Sequence, residues 1–89
     1  MMVTYEELLK QANILRDLYL YYLSGVDRYD PIGIMYATER AMHDFEFKHR
    51  HNLPYKCDFM INTVEEKVCF KAHHSQIVEV YFNQDFRFN

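Results

Sequence analysis

The apolar positions of this chain follow two periods, one near 3.6 residues up to about His49 and one of two from Tyr55 onward. In the first stretch Tyr5, Leu8, Ala12, Leu15, Tyr19, Tyr22 and Leu23 share one side of a helix, and Ile14, Leu18 and Tyr21 widen the arc beyond a single face. A helix with so wide an arc needs two neighbours, or one neighbour and a partner. Thr4 followed by Glu7 is a capping box that places its start. Ser24 and Gly25 supply the stop, with Gly25 expected in the left-handed position after the last turn.

The polar segment VDRYDPIG separates this helix from a second. Asp30 and Pro31 read as its N-cap and first residue, and it runs to about His49. At ~100° per residue, Ile34, Thr38, Ala41, Met42 and Phe45 form its expected core face, with Met35 at the border. Ile32, Tyr36, Arg40, His43 and Phe47 form a second stripe on the opposite side. Pro54 forces Leu53 out of helical space and ends the helical half.

Beyond it, Tyr55, Cys57, Phe59, Ile61 and Thr63 alternate with Lys56, Asp58, Met60 and Asn62, the pattern of a half-buried strand. Val64, Glu65 and Glu66 fall where a hairpin turn belongs. Val68, Phe70 and Ala72 alternate with Lys67, Cys69 and Lys71; a loop from His73 to Gln76 then leads into the β-branched and aromatic run from Ile77 to Phe82. Phe86-Arg87-Phe88 reads as a short fourth strand or an ordered tail. The sum is a single α+β domain over residues 1–89, of order ααβββ, in which two N-terminal helices cover one face of a three- to four-stranded antiparallel meander in two layers.

Composition narrows what such a domain can do. With 89 residues the core is modest, which makes a deep, dry catalytic pocket a poor expectation. Eight Tyr and seven Phe exceed what that core needs, and surplus rings serve interfaces, where they give contact area at little entropic cost. A net charge of −3 provides no global attraction to phosphate backbones. The N-terminus lacks the basic and apolar regions of a leader, and no stretch approaches the ~18 apolar residues of a membrane span, so a cytoplasmic protein without membrane contact is expected. Cys57 and Cys69 read as reduced thiols, with one bridge between paired strands left open.

The segment HDFEFKHRH, residues 43–51, raises metal binding first. His49 and His51 form an HxH pair, Glu46 and His49 stand three apart, and Cys69 with His73 could add ligands. Spacing opposes this, because His43 projects roughly 120° away from His49 around the helix and the Glu-x-x-His element occurs once. Cations at a helix C-terminus are favoured by the macrodipole without any ligand, which accounts for Lys48 through His51. Nucleophilic catalysis finds no activating turn for either cysteine, the carboxylate pairs Glu6-Glu7 and Glu65-Glu66 fall in turns, and no glycine-rich loop could cradle a phosphate. The expectation is therefore a protein that is not an enzyme and carries no cofactor.

Two binding readings remain. One is single-stranded nucleic acid on an outer sheet face bearing Lys56, Lys67 and Lys71 with Met60 and Tyr81, a face that Asp58 and Glu79 interrupt. The other, preferred, is a protein partner or a second copy held by Tyr36, Arg40, His43 and Phe47, with Arg28 and Tyr29 as rim contacts. It suits a small regulator or inhibitor that occludes or bridges its partner, a role the composition shares with proteins carried by phages and mobile elements. It requires the second stripe to be exposed, whereas a helix sandwiched between its neighbours would bury Tyr36 and Phe47 as core.

Overall fold

A computed structural model of the chain describes residues 3–27 and 29–83. The Thr4 hydroxyl accepts from the Glu7 N–H at 3.1 Å and opens helix α1, Tyr5–Leu23. The Asp30 carboxylate accepts from the Ile32 N–H at 3.0 Å, Pro31 takes the first helical position, and α2 runs over Pro31–Lys48. A 3₁₀ turn, Arg50–Asn52, leads into strands β1 (Cys57–Asn62), β2 (Lys67–Ala72) and β3 (Ile77–Tyr81). The strands form one antiparallel sheet in the order β1-β2-β3, in which Phe59 faces Phe70 and Phe70 faces Val78. The architecture is the expected ααβββ two-layer domain; Phe86-Arg87-Phe88 lies outside the described residues.

Alternation in the strands sorts their side chains. Cys57, Ile61, Val68, Phe70, Ala72, Val78 and Val80 are buried on the inner face, beneath Leu8, Ala12, Leu15 and Tyr19 of α1. Phe45 of α2 meets Phe59 and Phe70 at ring separations of 4.8 and 5.7 Å and joins the helical layer to the sheet. Cys57 and Cys69 are free thiols on opposite faces, so the bridge left open by the sequence does not form. Burial is the main influence that pushes both thiols up, which leaves them as packing groups and weak nucleophiles.

α1 lies over β2 and β3, while α2 packs mainly on α1 and reaches the sheet at β1. Two neighbours thus account for most of the wide arc of α1, although Tyr5, expected on its core side, is exposed. The core face of α2 differs from the expected one. Its buried residues are Gly33, Ala37, Ala41, Asp44 and Phe45, whereas Ile34, Thr38 and Met42 are half-buried and Met35 is exposed. The helix is turned by roughly 70° at ~100° per residue, because the contact with α1 is made by small residues that let the two backbones approach. Gly33 is pressed against the turn that follows α1, where an added Cβ would stand 3.0 Å from the Val26 Cβ.

The end of α1 also departs from expectation. No glycine has a positive φ, so Gly25 is not in the left-handed position. The chain instead leaves the helix through i→i+3 bonds, Gly25 N–H to the Tyr22 carbonyl and Val26 N–H to the Leu23 carbonyl, with the Ser24 hydroxyl donating to the Tyr21 carbonyl at 2.6 Å.

These two corrections are separately testable by denaturant unfolding. Ala37→Leu, which overfills the interhelical contact, should cost about 1–3 kcal/mol. Gly25→Ala, whose new Cβ would meet only the Tyr22 carbonyl at 3.8 Å, should stabilise by about 0.4–1 kcal/mol through the unfolded chain; a loss of stability there would restore the left-handed cap.

Candidate interaction surface

Turning α2 onto its small residues leaves its large ones at the surface. Ile32, Tyr36 and Phe47 are 72, 50 and 64 % exposed, and Arg40 and His43 are exposed between them. The stripe is therefore not sandwiched. It borders the contact with α1, and so it is joined by side chains of that helix. The Tyr22 ring forms near-perpendicular pairs with Tyr36 and Tyr21 at 6.4 and 5.2 Å, and the Arg40 guanidinium lies 5.4 Å from the Tyr22 ring centre. Tyr21 is 71 % exposed and extends the surface across the helix pair. At the other end, the His43 and Phe47 rings pack at 4.6 Å.

Beneath this surface is a buried charge. Asp44 is 5 % exposed and accepts a hydrogen bond from the Tyr22 hydroxyl, with Lys48 Nζ at 3.7 Å and His43 Nδ1 at 3.9 Å. The Tyr22 hydroxyl, helped by Lys48, Arg40 and His43, holds its carboxyl below the ordinary range against the opposing effect of burial. Tyr22 also acts on Arg40, keeping the guanidinium firmly charged. One tyrosine thus fixes Asp44 inside and orders Arg40 and Tyr36 outside, so those two groups lose less freedom when a partner arrives.

The six residues expected at the site are not all brought together. Tyr36, Arg40, His43 and Phe47 lie along one helix side. Tyr29 is highly exposed but lines a separate cleft of about 450 Å³ with Tyr19, Leu23, Ile34 and Phe82, and none of the four α2 residues lines it. Arg28 lies outside the described residues. Sequence reasoning placed Tyr22 in the core and passed over Asp44; a carboxylate one residue from an apolar position, facing a helix rich in tyrosine, was the available signal.

The other candidates are placed as well. In HDFEFKHRH, Glu46 is held by Arg50 in two contacts of 3.0 and 2.7 Å, His49 stacks on Phe45 at 5.5 Å, and His51 is exposed on the 3₁₀ turn. Among the described residues, no three His, Cys, Asp or Glu side chains converge as a metal ligand set, and no helix is long and apolar enough to cross a membrane. On the outer sheet face Lys67 sits between Glu65 and Glu79 at 2.7 and 3.1 Å, and Lys71 is paired across the strands with Asp58. Two carboxylates thus neutralise Lys67 and a third stands opposite Lys71, while Lys56 is exposed, so the pull of that face on phosphates is weakened.

The buried bond carries a pH prediction. Asp44 has its folded pKa lowered from an unfolded value of about 3.9, so its contribution is fully present above that pH and is lost as pH falls through the folded value. Tyr22→Phe, leaving the carboxylate short of a donor, should lower stability by about 1–3 kcal/mol at neutral pH and flatten the acid limb. Urea unfolding of parent and variant between about pH 7 and pH 3 checks both, and parallel acid limbs would contradict the assignment.

Neither family models, curated proteins nor solved structures give a match to this chain, so what it does is argued from the surface itself.

Proposed function

We propose that this protein is a non-enzymatic interaction module that occludes or bridges a protein partner through the outer side of α2. The observation that carries the reading is the exposure of Tyr36 and Phe47 on a helix whose core contact is made by Gly33, Ala37 and Ala41. A helix that meets its neighbouring helix through small residues and turns two of its three Tyr and Phe rings outward has a large contact area available to something else. Tyr21, Tyr36 and Phe47 supply apolar area, Arg40 supplies a fixed cation for a carboxylate or a ring, and His43 hydrogen-bonds at the edge. The partner is a protein, and a second copy of the chain belongs to the same class. The arrangement fits a small regulator or inhibitor, which needs a rigid surface and no chemistry.

The double variant Arg40→Glu/Phe47→Ala tests it. Both side chains are exposed, so the variant should stay folded, its denaturant midpoint lowered only by the changed charge beside Asp44, while losing self-association in sedimentation and retention of the partner in affinity capture. A folded variant that associates and binds like the parent would place the contact elsewhere. One that unfolds would return the stripe to the core.

A further inference from the structure

Among the described residues β1 is an edge strand, and the phase of the sheet's hydrogen bonds fixes which of its backbone groups face outward. The His73 N–H donates to the Lys56 carbonyl at 2.9 Å, which makes these two a hydrogen-bonded pair. In an antiparallel ladder every second pair repeats that arrangement. Asp58, Met60 and Asn62 therefore bond to Lys71, Cys69 and Lys67 of β2, and the N–H and C=O groups of Cys57, Phe59 and Ile61 point away from the sheet. Among the described residues these outward groups have no protein partner. Beside them a cleft of about 410 Å³ separates β1 from α2, lined by Met42, His43, Phe47, Cys57 and Phe59 among others.

We propose that a second copy of this chain pairs with β1 edge to edge, antiparallel, about a two-fold axis at Phe59, joining two three-stranded sheets into one. The inference rests on the reading of this protein as an interaction module and names a second copy as a partner. In this register the three outward positions of one copy meet the three of the other: Phe59 faces the partner's Phe59, and Cys57 faces the partner's Ile61. Those pairs fall on the inner face, where an aromatic cross-strand pair is favourable and where Met42 and the exposed Phe47 stand over the same cleft. On the outer face Asp58 falls opposite the partner's Met60 and Lys56 opposite the partner's Asn62, so no like charges are directly opposed.

The other edge is not self-complementary. The Phe82 N–H bonds to the Glu66 carbonyl, so the outward positions of β3 are Ile77, Glu79 and Tyr81. A two-fold pairing that used all three would set Glu79 against the partner's Glu79, a destabilising opposition. Arg16 Nη1 also covers that edge, donating to the Tyr81 carbonyl at 3.5 Å. Open edges invite pairing, and β1 is the one whose charges permit it between identical chains.

Met60 provides the test, because it is exposed on the outer face and lies outside both the core and the α2 surface. Met60→Lys sets an ammonium opposite the partner's Asp58, and Met60→Asp sets a carboxylate there, twice per dimer. In sedimentation equilibrium over a concentration series the parent should dimerise. Met60→Asp should dimerise on the order of tenfold more weakly than Met60→Lys, and the gap should narrow in high salt. Asp58→Lys/Met60→Asp, which restores opposite charges across the axis, should return the dimer, a rescue that simple misfolding could not give.

Equal dimer Kd values for the two Met60 variants overturn the pairing, and so does a parent that remains monomeric at millimolar concentration. If, in either case, Arg40→Glu/Phe47→Ala still abolishes binding to another protein, the α2 reading stands without this occupant. A dimer that follows the sign of charge at Met60 yet ignores the α2 variant supports the edge pairing and leaves the outer side of α2 to a different protein.

Discussion

Gly33, Ala37 and Ala41 fall on one side of α2 at four-residue spacing, and the closeness with which they let α2 approach α1 and the Val26 turn that follows it sets the orientation of everything else on that helix. Had bulky residues made this contact, the axes would stand further apart and the rings of α2 would be drawn into the gap. With small ones, the core receives Phe45 and little other bulk from α2, and Tyr36, Arg40, His43 and Phe47 are left at the surface. The exposed face is thus a consequence of tight interhelical packing.

The Tyr22–Asp44 bond belongs to the same contact. A buried carboxylate without donors is strongly destabilising, so Asp44 is tolerated only where Tyr22 can reach it. That requirement fixes the register of α2 along α1, which packing of small apolar groups leaves loosely specified. It also places Tyr22 under Arg40 and against Tyr36, so an internal bond shapes an external surface. Structural and contact roles converge on one residue, and the surface inherits the rigidity of the core.

Much of the fold was legible in the sequence because its signals are strong and local. Thr4 and Asp30 mark helix starts through side-chain oxygens that accept backbone N–H groups, although the Glu7 carboxylate, expected to complete a capping box, accepts from Gln11 and Tyr55 instead. The alternation through Val68, Phe70 and Ala72 admits one inner face. The orientation of α2 was not legible, since glycine and alanine carry little weight in an apolar pattern and a buried aspartate counts against it. The end of α1 misled for a related reason: Gly25 suggested a left-handed cap, while the residues that do adopt positive φ, Glu66 and His74, are types that give no turn signal. Of the candidate surface, the four α2 residues could be grouped from the sequence, whereas the contributions of Tyr21 and Tyr22 depend on how two helices meet.

The central claim is that Tyr36 and Phe47 face outward because small residues make the contact of α2 with α1. Residue-resolved hydroxyl-radical footprinting of the dilute protein measures this directly. The account predicts that Tyr36 and Phe47 are oxidised at rates near that of the exposed Tyr21 and well above those of the buried Tyr19 and Phe45. Protection of Tyr36 and Phe47 to the level of Phe45 in the dilute protein would contradict it.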